Sequence, residues 1–379
     1  MRLDLVELHH IRMRLRAPFE SSFGTTLDRE AILVRVAVEG LEGWGECVAG
    51  SRPDYSYETT ATAWHMLTDF LVPAVLSQDL DSVDPYEKAV RTLRGHPMAK
   101  AGLEIALWDL LARRAGVPLA EYLGGRLGTV RVGVSVGIQP NERQLVETVG
   151  RFVQSGYARV RVKIRPGRDL ADVRAVRRSF PTLMLQVDAN SAYRLEDLSV
   201  FKALDELDLQ MIEQPLGEAD LLDHSRLQSQ LRTPICLDES IRDLDHARWA
   251  LELGSCRVIN IRPGRVGGLS EARRIHDLCK ARQIPVWCGG MLETGVGRAA
   301  NLALATLPNF KLPGDISVSR GYYAEDLVEE PFVLSADGTL PVPAGKGIGV
   351  TVRKDLLQRV TLRKARFTPE MGGIHSSLT

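Results

Sequence analysis

The sequence has no excess of charge of either sign, because its 379 residues include 48 acidic and 48 basic side chains. Proteins that bind nucleic acid or an anionic membrane surface normally carry a basic patch, so this balance argues against both kinds of partner. Cysteine is scarce as well: the five cysteines are scattered and include no CxxC pair. The sequence therefore indicates neither a disulfide framework nor a cysteine zinc site.

Long apolar segments are also missing. No hydrophobic run approaches the ~18 residues that a membrane span requires, and the N-terminal stretch MRLDLVELHH lacks the apolar core of a signal peptide. We therefore expect a cytoplasmic protein that does not cross a membrane. What the chain does contain is hydrophobic residues at 44%, enough to bury a large core, in a length that suggests about two domains.

The middle of the chain repeats one arrangement, in which a short apolar run ends at a polar side chain. Lys163 ends ARVRVK, Asp188 ends LMLQVD, Glu213 ends LQMIE and Asp238 ends PICLD, at a constant spacing of 25 residues, and Arg262 follows RVINI 24 residues later. One strand, one helix and two short loops need about that length, so the repeat predicts successive βα units. In a (β/α) barrel the carboxyl ends of the strands share one face, which carries the active site.

The repeat also divides the chain. Residues 1–125 lack it and show hairpin patterns followed by amphipathic helices, which predicts an α+β unit. Residues 126–320 predict a barrel of eight strands and seven clear helices, beginning with the strand RVGVSV at 131–136 and ending with FKLPGD near Asp315. Residues 321–379 again lack the repeat and are expected to pack back on the first unit. The predicted class is therefore α/β, with an α+β capping domain built from both chain ends.

Asp188, Glu213 and Asp238 occupy one register on three neighbouring predicted strands. An acidic residue at a strand end often caps the next helix, and that structural role explains any one of them taken alone. Three acids on strands about 4.8 Å apart would repel one another without a cation among them, and oxygen ligands suit Mg²⁺, with Mn²⁺ or another divalent cation as a substitute. Asn190 and Glu239 lie close enough to support these ligands. No histidine stands at these strand ends, which disfavours Zn²⁺ and Fe²⁺.

Lys163 and Arg262 are expected to lie on opposite faces of a bound ligand, because their strands flank the three that carry the acids. The alternative is that both residues only neutralise the carboxylates. Lys163, with Arg161 two residues earlier on the same strand face, suits the role of general base. An arginine side chain has a pKa above 12, so deprotonating Arg262 at pH 7 costs roughly 7 kcal/mol, and this residue is expected to stabilise negative charge instead.

Several longer motifs resemble a known family. In chain order they are GLEIALWDLLARRAGVPLAEYLGG, QVDANSAY, IEQPL, PICLDES, VINIRPGRVGG, VWCGGMLETGVGRA and LPGDIS. They resemble the enolase superfamily in its muconate-lactonizing-enzyme subgroup, and within it the o-succinylbenzoate synthases that also act as N-acylamino acid (N-succinylamino acid) racemases. The resemblance covers nearly the whole chain, and so many long motifs in one order make it highly specific.

This resemblance implies a capping domain over a modified TIM barrel, (β/α)₇β, with Mg²⁺ on the three strand-end carboxylates. It also implies a homo-oligomeric enzyme that removes a proton α to a carboxylate of a small-molecule substrate, giving an enediolate. Two positions depart from the family pattern. The usual Lys-x-Lys is Arg161-Val162-Lys163 here, and the second catalytic lysine is replaced by Arg262, which disfavours racemisation.

The chemistry separates the possible activities by the number of bases they need. Racemisation needs a proton donor and an acceptor on opposite faces of the α-carbon, whereas syn elimination of water needs one base that then serves as acid. From the resemblance we therefore expect an o-succinylbenzoate synthase of menaquinone synthesis, a carbon–oxygen lyase, with Lys163 as its single acid/base and Arg262 holding the intermediate by charge or cation–π contact. One alternative is an N-acylamino acid racemase in which Arg262 replaces the second lysine. The other is a catalytically silent relative that only binds.

The predicted substrate contacts come from the capping domain and the barrel. They are Phe19, Phe23, Tyr55, Ser135, Met291 and Ile316. The two phenylalanines belong to the loop FESSFG, an unusual place for aromatic residues, and the resemblance implies that this loop is a flap over the site. Packing against a neighbouring domain explains the loop equally well, and apolar packing explains Met291 and Ile316 equally well.

Overall fold

The computed structural model describes residues 1–21 and 24–371. The strands are, in chain order, β1 (Leu5–Ser21), β2 (Gly24–Val38), β3 (Leu41–Cys47), β4 (Thr129–Arg131), β5 (Gly133–Val136), β6 (Arg159–Lys163), β7 (Met184–Asp188), β8 (Ile212–Glu213), β9 (Ile235–Leu237), β10 (Val258–Ile261), β11 (Val286–Cys288), β12 (Thr339–Pro341) and β13 (Thr361–Phe367). The α-helices are α1 (Thr60–Met66), α2 (Val72–Leu76), α3 (Asp84–Val90), α4 (Pro97–Ala115), α5 (Leu119–Tyr122), α6 (Glu142–Gln154), α7 (Leu170–Ser179), α8 (Leu198–Leu204), α9 (Leu221–Gln228), α10 (Leu244–Leu253), α11 (Pro263–Val266), α12 (Leu269–Ala281), α13 (Gly295–Leu304), α14 (Ser319–Tyr322) and α15 (Lys354–Val360). A π-helix spans Leu67–Leu71, and 3₁₀-helices span Leu195–Asp197 and Pro369–Met371.

Both chain ends contribute to one antiparallel sheet with the strand order β13–β1–β2–β3. Val6 of β1 lies opposite Phe367 of β13, so the last strand extends the sheet that the first strand begins. The sheet packs on α4 through β3. Glycines allow this close approach, because a Cβ atom on Gly45 would lie 2.2 Å from the carbonyl oxygen of Gly102. The arrangement confirms the predicted α+β capping domain built from both chain ends.

The barrel is a curved sheet in which, within the described ranges, seven parallel strands from β5 to β11 lie side by side in sequence order. A helix follows each of these strands, as the 25-residue repeat predicts. Lys163 pairs laterally with Asp188, and Asp188 with Glu213, at the strand ends. Asp238 and Arg262 come directly after β9 and β10. The α/β barrel class is therefore confirmed, and the polar strand-end residues share one edge of the sheet.

The segment FKLPGD, predicted as the eighth strand, does not form a regular strand. It makes two isolated parallel bridges, Phe310 with Val286 of β11 and Gly314 with Val132 next to β5. Pro313 lacks a backbone N–H group and interrupts any continuous ladder here. The prediction of eight regular strands was wrong for this segment, although its bridges still connect the last barrel strand to the first.

The predicted strand at 131–136 is divided. Thr129–Arg131 pairs with β12 in a separate antiparallel sheet, and the barrel strand begins at Gly133. The short helix α11 was not predicted, and it follows Arg262 directly. The bounds of the three predicted chain segments stay a prediction. None of the helices within the described ranges has the length and apolar character needed to cross a bilayer.

Candidate active site

The carboxyl ends of β6 and β7 bring Lys163 and Asp188 into contact. Lys163 Nζ donates to Asp188 Oδ2 at 2.7 Å and to Asn190 Oδ1 at 2.6 Å. The backbone N–H of Asn190 donates to Asp188 Oδ1 at 3.0 Å, and its Nδ2 donates to Glu239 Oε1 at 2.9 Å. The amine of Lys163 is therefore held at the strand ends by a carboxylate and an amide that are themselves fixed.

Arg161 binds several acidic and polar partners through one guanidinium group. Nη1 donates to Asp188 Oδ2 at 2.9 Å and to Glu213 Oε2 at 2.6 Å. Nε donates to Ser135 Oγ at 2.6 Å, and Nη2 donates to Asp315. Burial opposes the charged form of Arg161, but the carboxylates of Asp315, Glu213 and Asp188 outweigh it and raise the pKa of Arg161 above its ordinary value. Arg161 therefore stays positive and holds Asp188 and Glu213 near each other.

Arg262 is fixed by Asp238. Its Nε donates to Oδ1 and its Nη2 donates to Oδ2, both at 2.7 Å. Its Nη1 donates to the carbonyl oxygen of Gly290 and lies 3.7 Å from Met291 Sδ. The guanidinium carbon stands 5.8 Å from the centre of the Tyr55 ring. Burial opposes the charged form of Arg262, yet the surrounding acidic groups outweigh it and raise the pKa of Arg262, so this residue keeps its proton.

The three predicted metal ligands, Asp188, Glu213 and Asp238, are completely buried, each with an exposed fraction of 0%. Glu213 shares Arg161 Nη1 with Asp188, and its Oε1 lies 3.6 Å from the Arg262 Nη2 atom that binds Asp238. Because the carboxylates turn toward these cations, no three His, Cys, Asp or Glu side chains in the described part of the chain gather closely enough to hold a metal ion as they stand. The donor chemistry nevertheless fits a hard divalent cation, because carboxylate oxygens are the ligands that such a cation prefers. The three buried carboxylates stand at adjoining strand ends and already share the positive charges of Arg161 and Arg262.

A fourth buried acid, Glu239, stands beside these ligands. Burial raises the pKa of Glu239 to about 7, and the charge of Asp188 adds to the rise. Burial acts in the same direction on Asp188, but Lys163 and Arg161 outweigh it and lower the pKa of Asp188. Glu239 Oε2 is buried without a hydrogen-bond partner among the described residues. This unpartnered oxygen, one residue from a predicted ligand, supports the fit to a bound cation.

The strand ends open into a cavity of about 690 Å³, whose wall combines the barrel with the capping domain. Among the predicted functional residues, the cavity is lined by Phe19, Tyr55, Ser135, Arg161, Lys163, Asn190, Arg262 and Met291. Ile316 does not line it: this residue is 2% exposed and belongs to the apolar core, which favours the packing interpretation, and its role as a substrate contact stays a prediction. Phe23 lies outside the described residues.

Two polar side chains that support Glu213 were missed from the sequence. Gln186 Nε2 donates to Glu213 Oε2 at 2.8 Å, and Asn260 Nδ2 donates to Glu213 Oε1 at 2.9 Å. A signal was available, because Gln186 precedes Asp188 by two residues and Asn260 precedes Arg262 by two. Residues two apart on a strand lie on the same face. A residue two positions before a strand-end site residue therefore points into the barrel as well.

Arg265 and Asp315 were also missed as parts of the site. Arg265 contacts Asp238 through Nη1 and donates to the backbone oxygen of Asn260 at 2.7 Å. Asp315 accepts from Arg161 and, at 2.9 Å, from Ser135 Oγ. Neither follows the strand repeat: Arg265 lies in the unpredicted helix α11, and Asp315 is the last residue of the segment FKLPGD, which forms only isolated bridges.

Comparison with known proteins agrees with this architecture along most of the chain. Residues 5–124 match the mandelate racemase / muconate lactonizing enzyme N-terminal domain, and residues 144–356 match the family described as enolase C-terminal domain-like. A crystal structure of an enolase superfamily member from Listeria innocua superposes with a TM-score of 0.94 at 42% identity, covering 97% of this chain and 100% of that one. The capped barrel with acids at its strand ends is therefore the fold of the enolase superfamily, to which this chain belongs.

Two kinds of name occur among its more similar relatives within the superfamily. An o-succinylbenzoate synthase from Geobacillus stearothermophilus is 53% identical over 360 residues, which are 95% of this chain and 96% of the relative. An N-succinylamino acid racemase from Thermus thermophilus is 48% identical over 362 residues, 96% of this chain and 98% of the relative. These findings confirm the resemblance drawn from the motifs. Members of the superfamily generally use a divalent metal ion.

Proposed function

We propose that this protein is an o-succinylbenzoate synthase, which forms its aromatic product by syn elimination of water from a hydrated, non-aromatic precursor. The proposal depends on two groups at the strand ends, the amine of Lys163 and the guanidinium of Arg262, which hydrogen bonds hold in place. Lys163 is the one lysine among the described residues that line the cavity, and Arg262 is bound through two nitrogens to Asp238. One base suffices for a syn elimination, whereas racemisation requires two.

Asp188, Glu213 and Asp238 would hold a divalent ion, for which we propose Mg²⁺, with Mn²⁺ as a substitute. The ion supplies positive charge to the substrate carboxylate while negative charge develops on it. The burial of these acids and their contacts with shared arginine nitrogens support the assignment. A carboxylate has about four lone-pair sites, so hydrogen bonds from arginine leave others for a metal.

Lys163 would carry both proton transfers of the dehydration. Its neutral amine takes the proton from the carbon α to the carboxylate, and the electron pair left behind then forms the new ring double bond as the C–O bond to the hydroxyl breaks. The resulting ammonium group gives its proton to the departing hydroxyl, which leaves as water. Hydrogen bonds to Asp188 and Asn190 hold Nζ at the strand end, where one group can serve both positions on one face of the ring.

Arg262 would act as a fixed positive charge. Its pKa is raised above the ordinary arginine value in spite of its burial, so it can stabilise developing negative charge but does not exchange protons at neutral pH. Its hydrogen bonds to Asp238 and Gly290 fix the direction in which that charge points. This role requires no second base in the site.

N-succinylamino acid racemase is the second candidate, and the 48% identity to the relative from Thermus thermophilus favours it. Racemisation would require Arg262 to exchange a proton on the face of the α-carbon opposite Lys163. Deprotonating a free arginine at pH 7 costs roughly 7 kcal/mol, and the acidic surroundings of Arg262 add to that cost. We therefore expect racemisation to be slow in comparison with dehydration.

The test compares both reactions in wild type and in Lys163→Ala, with Mg²⁺ present. Wild type should convert the hydrated precursor of o-succinylbenzoate faster than it racemises N-succinyl amino acids, and the variant should lose dehydration by about 10²–10⁴-fold. Lys311→Ala removes an exposed lysine outside the cavity and should retain full activity. Racemisation as fast as dehydration would overturn the proposal, and unchanged activities in Lys163→Ala would leave only a binding role.

A further inference from the structure

Arg29 places a buried guanidinium group in the wall of the cavity. It belongs to β2 of the capping sheet, and its side chain is 9% exposed. Nε donates to the carbonyl oxygen of Met291 at 3.2 Å, and Nη2 donates to the carbonyl oxygen of Val48. Two main-chain carbonyls therefore fix the group between the capping domain and the barrel.

Arg29 differs from the other arginines that line the cavity. Arg12 binds Glu30 through two nitrogens at 2.9 and 2.7 Å, and Arg52 binds Asp54 at 2.7 Å. Arg161 and Arg262 also bind carboxylates. The hydrogen bonds of Arg29 within residues 1–21 and 24–371 go only to the two carbonyl oxygens. Arg29 is therefore the one cation of the described cavity wall that forms no hydrogen bond or ion pair with a carboxylate, although its charge also acts on the buried Glu46.

The third nitrogen of Arg29, Nη1, lies against Gly50, another residue of the cavity wall. A Cβ atom on Gly50 would stand 3.1 Å from Nη1, so glycine at this position leaves room beside the nitrogen. Met291 lies between the two arginines, since its carbonyl oxygen contacts Arg29 and its sulfur contacts Arg262. Met291 therefore separates Arg29 from Arg262 and its partner Asp238.

A buried charge is costly unless it is paired and hydrogen-bonded, so a substrate carboxylate that reaches Arg29 would form a favourable charge-assisted hydrogen bond. We propose that Arg29 binds the second carboxylate of a dicarboxylate substrate, at the end remote from the reacting carbon. This inference rests on the proposed function, because o-succinylbenzoate carries such a carboxylate at the end of its succinyl chain. Arg29 would then select dicarboxylates over matched monocarboxylates without taking part in the chemistry.

The test measures binding by calorimetry in buffer with Mg²⁺, using o-succinylbenzoate and 2-butanoylbenzoate, in which a methyl group replaces the distal carboxylate. Wild type should bind the dicarboxylate about tenfold or more tightly than the monocarboxylate. In Arg29→Met the two affinities should become nearly equal, while the affinity for 2-butanoylbenzoate stays at the wild-type value. That unchanged affinity, with an unchanged melting temperature, shows that the site is still folded.

Two further variants separate the role of Arg29 from a general effect of charge or folding. Arg52→Gln removes one positive charge from the same cavity wall and should keep the wild-type preference. Gly50→Ala retains Arg29 but crowds Nη1, so it should reduce the preference even if Arg29→Met does not fold. A preference that survives both Arg29→Met and Gly50→Ala overturns the inference alone. Failure of wild type to bind either compound overturns the proposed function together with it.

Discussion

Arg262 donates to both carboxylate oxygens of Asp238, from Nε to Oδ1 and from Nη2 to Oδ2, at 2.7 Å each. Bidentate pairs of this kind are charge-assisted and fix the orientation of both groups. The arginine that stands where the family pattern has a second lysine is therefore held by a proposed metal ligand. This contact favours a fixed positive charge over a group that exchanges protons.

Replacing Arg262 with lysine should supply a second amine that can exchange protons. We expect racemisation of N-succinyl amino acids to rise by at least about 10²-fold, while dehydration stays within about tenfold of wild type. Chiral chromatography and the absorbance of the aromatic product measure the two rates. Arg265→Lys is the matched control, because Arg265 also contacts Asp238 but does not line the cavity of about 690 Å³, and it should not raise racemisation. Unchanged racemisation in Arg262→Lys would contradict the role assigned to this arginine.

Removal of the metal should stop the reaction. Treatment with EDTA should abolish dehydration, and added Mg²⁺ should restore it. Asp238→Asn removes one of three negative charges, so its affinity for Mg²⁺ or Mn²⁺, measured by calorimetry, should fall about tenfold or more. Asp243→Asn is the control, because Asp243 caps α10 and asparagine caps equally well. Equal metal affinity in wild type and Asp238→Asn would remove Asp238 from the proposed ligand set.

The sequence carried enough information to predict the barrel and the grouping of its strand-end residues. A strict interval between Lys163, Asp188, Glu213 and Asp238 has a simple physical cause, since each βα unit returns the chain to the same edge of the sheet. The N-terminal and C-terminal segments of the chain were also predicted to form one unit, because neither segment shows the repeat. Cytoplasmic location and homo-oligomeric assembly stay predictions.

Other parts of the site depend on packing that no repeat encodes. Asp315 reaches Arg161 from a segment that Pro313 keeps out of the ladder, and Arg29 reaches Met291 from a different domain. Such contacts join residues more than 150 positions apart, so spacing along the chain gives no sign of them. Ile316 was predicted as a substrate contact with apolar packing as the alternative, and its position in the apolar core favours packing, because a motif alone does not show which way a side chain faces.

Glu46 should make stability depend on pH. This buried carboxyl accepts hydrogen bonds from Thr294 Oγ1 at 2.7 Å and from the Gly297 N–H at 3.1 Å, and burial raises its pKa from 4.5 to about 7. Because the folded state binds the proton more tightly than the unfolded chain, the stabilising contribution is complete below pH 4.5 and is lost as the pH rises through 7. Relative to Glu46→Gln, wild type should lose about 3 kcal/mol of unfolding free energy between pH 4.5 and pH 8. Urea unfolding at both pH values checks this, and a constant difference between the two proteins would refute it.

A side chain at Gly45 should destabilise the protein, because it would disrupt the close contact between the capping sheet and α4. A methyl group there would meet the carbonyl oxygen of Gly102 at 2.2 Å, so Gly45→Ala should cost about 1–3 kcal/mol or more. Gly150→Ala is the control: in α6 the added atom meets only Phe180 at 3.4 Å, and alanine favours a helix over glycine by about 1 kcal/mol. Thermal unfolding should show a lower midpoint for Gly45→Ala and an equal or higher one for Gly150→Ala. Equal midpoints for both variants would contradict the close approach.

Hydrogen–deuterium exchange at the α-carbon of N-succinyl amino acids, followed by NMR in D₂O with Mg²⁺, tests most directly whether the site has one base. With Lys163 as that base, wild type should exchange the α-proton of one enantiomer only, and the other enantiomer should exchange at least about 10²-fold more slowly. Exchange of both enantiomers at similar rates, with their interconversion, would show that Arg262 also transfers protons and would contradict the single-base site.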